Sequence, residues 1–155
     1  MKILILENIR SAENTGSILR TAEALGVEEV LLVGTTPTPI DRFGRVRNDI
    51  KKVALGAESM PWKFFETMRE AVDYVRTHKL CLLVLEQDVR SISYQSCQVH
   101  NDFALVVGNE VEGVSAYAKD SADTIIEIPL LGKKESLNVS VALGIALASL
   151  VHGRS

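Results

Sequence analysis

The sequence predicts an α/β fold with a mostly parallel sheet that carries helices on both faces. Two observations predict it. Short apolar runs of strand length alternate with segments of helical period along the chain. Two of the runs, Leu80–Leu85 and Phe103–Val107, are almost continuously apolar, as strands covered on both faces are. With 155 residues, 46% of them hydrophobic and 24% charged, we expect a single globular domain over residues 1–155.

The first half of the chain alternates three strands with two helices. Asn14 is a predicted N-cap, and Gly26 follows the last helical residue, where glycine commonly ends a helix. The second helix has Met68, Val72 and Val75 on one side. A polar loop and then a basic segment separate the second strand from the third. The predicted strands are Ile3–Leu6, Val30–Val33 and Trp62–Phe65, and the predicted helices are Asn14–Leu25 and Thr67–Thr77.

The second half continues the alternation and ends in an unusual helix. Besides the two apolar runs, we predict a helix at Ser115–Ser121, a strand at Thr124–Ile128 and a final helix at Asn138–His152. The final helix is apolar nearly all round and rich in alanine, glycine and serine. A helix without a polar face must be covered on all sides. It is therefore either a central core helix or a helix that packs against a second subunit.

Composition excludes several classes of protein. The formal net charge of −3 argues against a general basic coat, although a local basic patch remains compatible with it. Cys81 and Cys97 cannot form a disulfide framework, and no histidine lies at metal-ligand spacing to another ligand. The longest uncharged stretch, residues 137–151, is shorter than the about 18–20 residues that span a bilayer. We expect a cytoplasmic protein without a metal or a membrane segment.

The first segment that could form part of a functional site runs from Asn14 to Arg20, at the start of a predicted helix. Gly16 and Arg20 lie one turn apart on one helical face. Because helical side chains lean toward the N-terminus, Arg20 would extend over the gap left by Gly16, near the free N–H groups of the helix start. That arrangement suits a phosphate or another anion. The alternative is an exposed arginine on an amphipathic helix.

The second segment is the glycine-rich loop Gly108–Gly113, directly after a predicted strand. Ligands bind at the carboxyl ends of strands in α/β sheets. Val114 and Ser115 stand where a P-loop requires Lys and Ser or Thr, and the loop is not G-x-G-x-x-G, which argues against triphosphates and dinucleotides. Glu110 and Glu112 suit a ligand with hydroxyls or positive charge. Alternatively, they are solvated acids of a tight turn.

The third segment joins the last predicted strand to the final helix. Pro129 and Gly132 shape a loop, and Ser136 and Asn138 stand just before the helix. Either polar residue could be the N-cap, which is worth about 1 kcal/mol. Polar side chains this close to an apolar helix could equally orient a ligand.

Together these segments resemble the SpoU (TrmH-like) family of RNA ribose methyltransferases in the SPOUT superfamily. The residues that carry the resemblance are, in order, Asn14, Gly16 and Arg20; Gly108-Asn109-Glu110 and Gly113; and Ile128-Pro129 with Ser136-Leu137-Asn138-Val139-Ser140. It extends from Ile3 to Gly153, so we expect no separate RNA-binding extension of the kind that some relatives carry. It implies S-adenosylmethionine-dependent methylation of a ribose 2′-hydroxyl in tRNA or rRNA, by a homodimer with active sites at the subunit interface. It also implies an α/β fold with a C-terminal trefoil knot.

The family's functional residues carry over onto this sequence position by position. The implied catalytic residues are Asn14, Arg20, Glu110, Ser136 and Asn138, and the implied contacts to the methyl donor are Leu85, Gly108, Ile128, Ser136 and Leu137. In this family the arginine is proposed as the general base. An arginine keeps its proton in proteins, however. A second interpretation is that Arg20 anchors the phosphate beside the target ribose and stabilises the developing alkoxide.

RNA docking on an acidic protein requires a local concentration of positive charge. Five basic residues lie within eleven positions, with only Asp49 opposing them, and Arg10 is a further candidate. The alternative interpretation is a solvated loop. The predicted RNA-binding residues are Arg10, Arg42, Arg45, Arg47, Lys51 and Lys52.

Two other functions compete with an active methyltransferase. One is a catalytically weak RNA-binding homodimer that acts in tRNA or ribosome biogenesis. The retained Arg20, Glu110, Ser136 and Asn138 argue against it, because a protein that only binds RNA has no reason to keep them all. The other is an α/β enzyme that binds a nucleotide other than RNA, which the missing phosphate-binding motifs disfavour.

Overall fold

The core of the protein is one seven-stranded sheet in which every pairing is parallel, in a computed structural model that describes residues 1–153. The strands are β1 (Lys2–Glu7), β2 (Glu29–Val33), β3 (Trp62–Phe65), β4 (Cys81–Leu85), β5 (Ile92–Ser93), β6 (Phe103–Val107) and β7 (Thr124–Glu127). The helices are α1 (Ala12–Ala24), α2 (Asn48–Ala54), α3 (Met68–Thr77), α4 (Ala116–Ser121) and α5 (Val139–His152). Across the sheet the strand order is β3-β2-β1-β6-β4-β7-β5.

Helices cover both faces of the sheet, which confirms the predicted α/β class. Alternate residues of a strand point to opposite faces. Leu4 and Leu6 of β1 therefore pack in one cluster with α1, α2 and α5, whereas Ile3 and Ile5 pack in a second cluster with α3 and α4. We call these the first and the second face. The strands at the centre of the sheet are buried on both sides, as their continuous apolar runs predict.

One predicted N-cap is wrong, and two short elements were not predicted. The N-cap of α1 is Ser11, whose side chain accepts a hydrogen bond from the backbone N–H of Asn14, so Asn14 is itself helical. The helix α2 (Asn48–Ala54), within the basic segment after β2, was not predicted. The two-residue strand β5 was also not predicted. Gly26 follows the end of α1 with a φ of 74°, which confirms its role as a stop.

The connection between β4 and β6, residues 86–102, wraps around one side of the sheet. It pairs with the outer edge of β7 as β5 and then continues over the first face, where Tyr94 and Cys97 pack against the cluster that contains α5. Residues 128–138 meet the start of this connection, where Gln87 Nε2 donates to the backbone oxygen of Glu135 at 3.2 Å. β7 therefore lies between β4 and the connection that follows β4.

The last helix is covered on one side only. Asn138 caps it, as predicted, by accepting hydrogen bonds from Ser140 and Val141. Its buried residues face α1 and the sheet, but Val141 is 51% exposed and Ile145 is 38% exposed. The interpretation of α5 as a central core helix is therefore wrong for the single chain. Within residues 1–153, no helix is long and apolar enough to cross a membrane.

Candidate active site

A cavity of about 400 Å³ opens at the carboxyl ends of β4, β6 and β7. Parallel strands bring the loops that follow them to one edge of the sheet, which is where α/β proteins bind ligands. The cavity is lined by all five predicted contacts to the methyl donor, namely Leu85, Gly108, Ile128, Ser136 and Leu137. Asn14, Glu110 and Asn138 line it as well. Segments distant in sequence therefore meet at one place.

The loop after β6 folds back tightly over its own first residue. A Cβ atom at Gly108 would lie 2.6 Å from the backbone of Gly113 and Val114, so only glycine fits there. Gly113 has a φ of 73°, in the left-handed region. Glu86, which follows β4, accepts a hydrogen bond from the backbone N–H of Val114 at 2.9 Å. The glycines therefore shape a closed turn, and Glu86 ties that turn to the neighbouring strand.

Glu110 holds the start of α1 rather than pointing its carboxylate into open solvent. Its two oxygens accept hydrogen bonds from the backbone N–H groups of Arg10 and Ser11, both at 2.9 Å, and from Asn14 Nδ2 at 3.1 Å. Partial burial raises the pKa of Glu110, but the hydrogen bonds from Arg10, Asn14 and Ser11 outweigh it and keep the pKa below its usual value. Glu110 is therefore ionised at neutral pH and positions the amide of Asn14.

The amide of Asn14 continues the network to the third segment. Asn14 Oδ1 accepts a hydrogen bond from Asn138 Nδ2 at 3.1 Å. Asn138 Oδ1 in turn accepts from the backbone N–H and hydroxyl of Ser140, at 2.9 and 2.6 Å. Ser136 lies exposed on the cavity wall. One hydrogen-bonded chain, Glu110–Asn14–Asn138, therefore links the three sequence segments at the cavity rim.

Arg20 does not lie at this cavity. It borders a separate groove between the end of α1 and the residues that follow α2, and it is six residues, about 9 Å, along the helix from Asn14. The predicted gap over Gly16 does not exist, because α2 fills it: a Cβ at Gly16 would lie 2.9 Å from the backbone oxygen of Ile50. The prediction that Arg20 sits near the free N–H groups of the helix start is therefore wrong.

Several cavity residues were missed by the sequence argument. Glu86 and Gln87 directly follow β4, and Glu135 and Ala142 flank the cap of α5. The position of Glu86 and Gln87 at the carboxyl end of a buried strand was a signal that could have found them. Nothing in the local sequence marks Ala142 as a cavity residue, because its role depends on how α5 packs.

Five of the six predicted RNA-binding residues, all except Arg10, lie on or just before α2, and their charges are partly paired. Arg47 forms an ion pair with Asp49 at 2.7 Å, as the sequence suggests. Arg45 also pairs, at 3.2 Å, with Asp41, which lies just before the eleven positions, so a second acid opposes the patch in the structure. Lys51 and Lys52 are exposed on α2 and make no ion pair within residues 1–153. Arg10 is exposed beside the cavity rim, where its backbone contacts Glu110.

The geometry suits a polar ligand with an apolar part. Leu85, Leu137 and Ala142 offer aliphatic contacts, while the backbone of the loops after β6 and β7 offers donors and acceptors. Carboxylates at the rim suit a ligand that carries hydroxyls or positive charge. Within the described part of the chain, no three His, Cys, Asp or Glu residues cluster so that they could hold a metal ion.

Comparison with known proteins agrees with these features. The chain is 34% identical over 154 residues to the 23S rRNA (guanosine-2′-O-)-methyltransferase RlmB of Escherichia coli K12, and 32% identical over 154 residues to the protein of the same name from Photorhabdus laumondii. Each alignment covers 99% of this chain and 60% of the relative, so the chain spans about 60% of the length of these relatives. The crystal structure of an AdoMet-bound rRNA methyltransferase from Sinorhizobium meliloti is 25% identical, with a TM-score of 0.81 over 95% of this chain and 54% of that one.

The family assignment rests on nearly the whole chain. Residues 1–148 match the profile of the SpoU rRNA Methylase family. The seven-stranded parallel sheet, the closed turn after β6 and the three linked segments are all within this range. The resemblance seen in the sequence is confirmed, and the chain belongs to the SpoU rRNA methylase family.

Proposed function

We propose that this chain transfers the methyl group of S-adenosylmethionine to a ribose 2′-hydroxyl of tRNA or rRNA. The observation that carries the proposal is the cavity at the carboxyl ends of β4, β6 and β7, with the Glu110–Asn14–Asn138 chain at its rim. The chemistry is that of the RlmB relatives, and the cofactor is the one bound to the Sinorhizobium meliloti rRNA methyltransferase; all of these proteins are longer than this chain. That this chain uses the same cofactor and performs the same chemistry is therefore our proposal.

The cavity fits S-adenosylmethionine in size and chemistry. Its volume of about 400 Å³ is within the usual range for small-molecule sites. Leu85, Ile128 and Leu137 would contact the adenine, and the backbone at Gly108 and Ser136 would bind its polar edge. Carboxylates of the lining, including Glu86 and Glu135, complement a cation. When bound, the cofactor supplies an electrophilic methyl group on a positively charged sulfur.

The residues of the chain would orient the ribose and stabilise its oxygen. The hydroxyl oxygen would bond to the methyl carbon as the carbon–sulfur bond breaks, and the hydroxyl proton would pass to solvent water. Asn14 and Asn138 are fixed by the rim network, so they could hold the ribose in line for the transfer at little entropic cost. Arg20 would bind the phosphate beside that ribose and stabilise negative charge on the oxygen.

A homodimer explains how Arg20 could reach the reaction. Arg20 lies outside the cavity of its own chain, so a second copy must supply it if it acts there. Leu137, Val141 and Ile145 are exposed, apolar and spaced four residues apart beside the cavity, which suits a face that a second copy covers. Light scattering should then give twice the 17.0 kDa mass of one chain. A monomeric mass at working concentration would rule this arrangement out.

The path of the chain also supports a C-terminal knot. α4 packs on the second face of the sheet and α5 on the first. β7, which joins them, lies between β4 and the β5 strand of the connection formed by residues 86–102. We infer that the chain after β7 threads through this connection. Stretching single unfolded chains tests it, because a knotted chain stays shorter than its contour length and an unknotted chain does not.

The activity is tested most simply on natural RNA. Purified protein would be incubated with radiolabelled S-adenosylmethionine and total RNA from cells that lack it. The RNA would then be separated by size, and the modified ribose mapped by its resistance to alkaline cleavage. Label in one size class supports the proposal and chooses between tRNA and rRNA. No label, together with measured binding of cofactor and RNA, would instead favour the RNA-binding homodimer without strong catalysis.

We propose that residues 1–155 act as a single catalytic domain, with the last two residues outside the described range. The same assay, done on this chain alone, tests that proposal, and a requirement for an added protein would contradict it. We place the activity in the cytoplasm, where these RNA substrates are present and the free Cys81 and Cys97 stay reduced. Fluorescence microscopy of the tagged chain checks the location.

A further inference from the structure

A short loop after β2 presents an aromatic ring to solvent. Ile40 and Val46 form an antiparallel bridge, which closes residues 40–46 into a hairpin that we call the Phe43 loop. The backbone N–H of Asp41 donates to the oxygen of Arg45 at 2.9 Å, and Gly44 takes a φ of 77° at the tip. Phe43, next to the tip, is 66% exposed.

The loop is held in one conformation by a single carboxylate. Asp41 Oδ1 accepts hydrogen bonds from the backbone N–H groups of Phe43 and Arg45, both at 2.9 Å, and Asp41 Oδ2 accepts from Arg45 Nε at 3.2 Å. The hydrogen bond from the Arg45 backbone is the main cause that lowers the pKa of Asp41, so the carboxylate is ionised at neutral pH. A preorganised loop loses little conformational entropy when a ligand binds.

Two guanidinium groups lie against the ring. The central carbons of the Arg42 and Arg45 guanidinium groups are each 4.9 Å from the centroid of Phe43. Arg42 makes no ion pair within the described residues, so its charge is available to a ligand. Burying the ring in the core would stabilise the fold more than holding it in solvent beside two cations does. The fold itself therefore does not account for this arrangement.

The Phe43 loop lies at the same edge of the sheet as the cavity rim. Its root is fixed by Thr36, whose buried hydroxyl donates to the backbone oxygen of Leu6 at 2.7 Å and accepts from the N–H of Ile9 at 3.0 Å. Residues 10 and 11, which follow Ile9, bind Glu110. On its other side the loop leads into α2, which packs on α1 at Gly16, one turn before Arg20. The loop thus connects the carboxyl end of β2 to α2, which packs against α1 on the first face.

We propose that Phe43 is a stacking platform for an unpaired base of the substrate RNA. Arg42 moves off the ring to bind a phosphate beside that base, and Arg45 binds a neighbouring phosphate. The inference rests on the proposed function, because it names where the RNA lies outside the reacting ribose. An aromatic ring stacks on any base, and flanking arginines neutralise the backbone. Five basic side chains over Arg42–Lys52 on a chain of net charge −3 favour a polyanion over a protein or a neutral surface.

This arrangement selects single-stranded RNA. In a duplex the bases are already stacked on each other and their faces are not accessible, whereas bases in loops and bulges can be turned out onto an aromatic side chain. The protein should therefore prefer a hairpin with a large unpaired loop to a blunt duplex of equal length. Phe43 should provide that preference, and the basic residues should provide affinity for both RNAs.

The test measures binding of two fluorescein-labelled RNAs, the hairpin and the blunt duplex, by anisotropy at several salt concentrations. Phe43→Leu should weaken hairpin binding about fivefold to a hundredfold and leave duplex binding unchanged. Phe43→Trp should restore hairpin binding. Phe64→Leu is the matched control, because Phe64 is also an exposed aromatic residue but lies on the edge strand β3. Arg42→Ala should weaken binding of both RNAs and reduce the salt slope by about 0.7–0.9.

The outcomes separate this inference from the proposed function. Methyl transfer by the unchanged protein to total RNA is measured in parallel. If the protein binds and methylates RNA but Phe43→Leu binds the hairpin as tightly, the stacking platform is overturned and the proposed function stands. Equal losses on hairpin and duplex, or no recovery with Phe43→Trp, overturn it too. If the unchanged protein neither binds nor methylates RNA, both proposals fail together.

Discussion

The cavity rim and the Arg20 groove contain the two parts of the implied catalytic site, and one chain builds them in different ways. At the rim, Glu110, Asn14 and Asn138 come from three distant segments and are joined by hydrogen bonds of 3.1 Å. Arg20, only six residues from Asn14, borders another groove and makes no ion pair within residues 1–153. Arg20 is therefore close to Asn14 in sequence but outside the cavity. Glu110 and Asn138, which are distant from Asn14 in sequence, meet it because the parallel strands place their loops at one edge of the sheet.

This difference teaches which part of the site is complete in one chain. The cavity needs only its own loops, so a single chain should bind S-adenosylmethionine. Arg20 can contribute to methyl transfer only when it lies beside a cavity that holds the RNA. Under our proposal, that cavity belongs to the second copy of the chain. Binding of the cofactor and methyl transfer should therefore respond differently to mutations in the two regions.

The largest effect should come from the arginine. Arg20→Ala should lower turnover by about a hundredfold to a thousandfold, because the charge that stabilises the transferring oxygen is removed. The dissociation constant for S-adenosylmethionine, measured by calorimetry, should not change. Arg69→Ala, which removes an exposed arginine on the second face, is the control and should keep full turnover. Near-normal turnover in Arg20→Lys would argue against both proposed roles of Arg20, as a general base and as a bidentate anchor for the phosphate.

A mutation in the cavity should show the opposite pattern. Gly108→Ala places a Cβ 2.6 Å from the backbone of Gly113 and Val114, so the turn must open. We expect a loss of about 1–3 kcal/mol in the free energy of unfolding, with weaker binding of S-adenosylmethionine. In Gly132→Ala, the matched control, the added Cβ meets nothing within 4 Å. Equal cofactor affinities for the two variants would show that the closed turn does not shape the cavity.

The rim network should give a smaller effect on stability. A double-mutant cycle with Glu110→Ala and Asn14→Ala, followed by urea unfolding, should yield a coupling energy of about 1 kcal/mol. Glu110→Ala alone should cost more than Asn14→Ala, because two backbone N–H groups also lose their acceptor. Glu112→Ala in the same loop is the control. Additive effects would mean that the two side chains do not interact in solution.

The smallest effect concerns a buried carboxyl beneath the rim. Glu7 is 3% exposed, and burial raises its pKa although hydrogen bonds from Ser115 oppose the shift. Above its unfolded pKa near 4.5, the folded state binds more protons than the unfolded state, so the free energy of unfolding falls as pH rises. Glu7→Gln should be more stable than the unchanged protein at pH 7, and the difference should shrink toward pH 4. Parallel stability curves from urea unfolding would contradict this.

Strands and the ligand-binding edge could be predicted from sequence because their signals are local. The run of Phe103–Val107 is apolar since both faces are covered, and Gly108 follows directly at the carboxyl end. In contrast, α2 has seven residues and buries only Ile50 and Ala54, so its period is too short to detect. Its position depends on packing against Gly16, which is a tertiary contact.

The separation of Arg20 from the cavity was not predictable for the same reason. The helical period correctly places Gly16 and Arg20 on one face of α1, but it cannot say what occupies the space over Gly16. The structure shows that α2 occupies it and that Arg20 borders the groove beyond. Asn14 and Arg20 are one motif in the sequence, but the fold assigns them to different surfaces of the chain.

The most direct test of this account uses two variants in one dimer. Arg20→Ala and Gly108→Ala chains would be co-expressed with different tags, and the mixed dimer purified. If each cavity uses the arginine of the other copy, one site has both an intact cavity and an intact arginine, so methyl transfer should recover to about half of the unchanged activity. At a concentration of S-adenosylmethionine too low to fill the Gly108→Ala cavity, both parent dimers should be nearly inactive. A mixed dimer as inactive as its parents would contradict the account, because Arg20 would then act within its own chain.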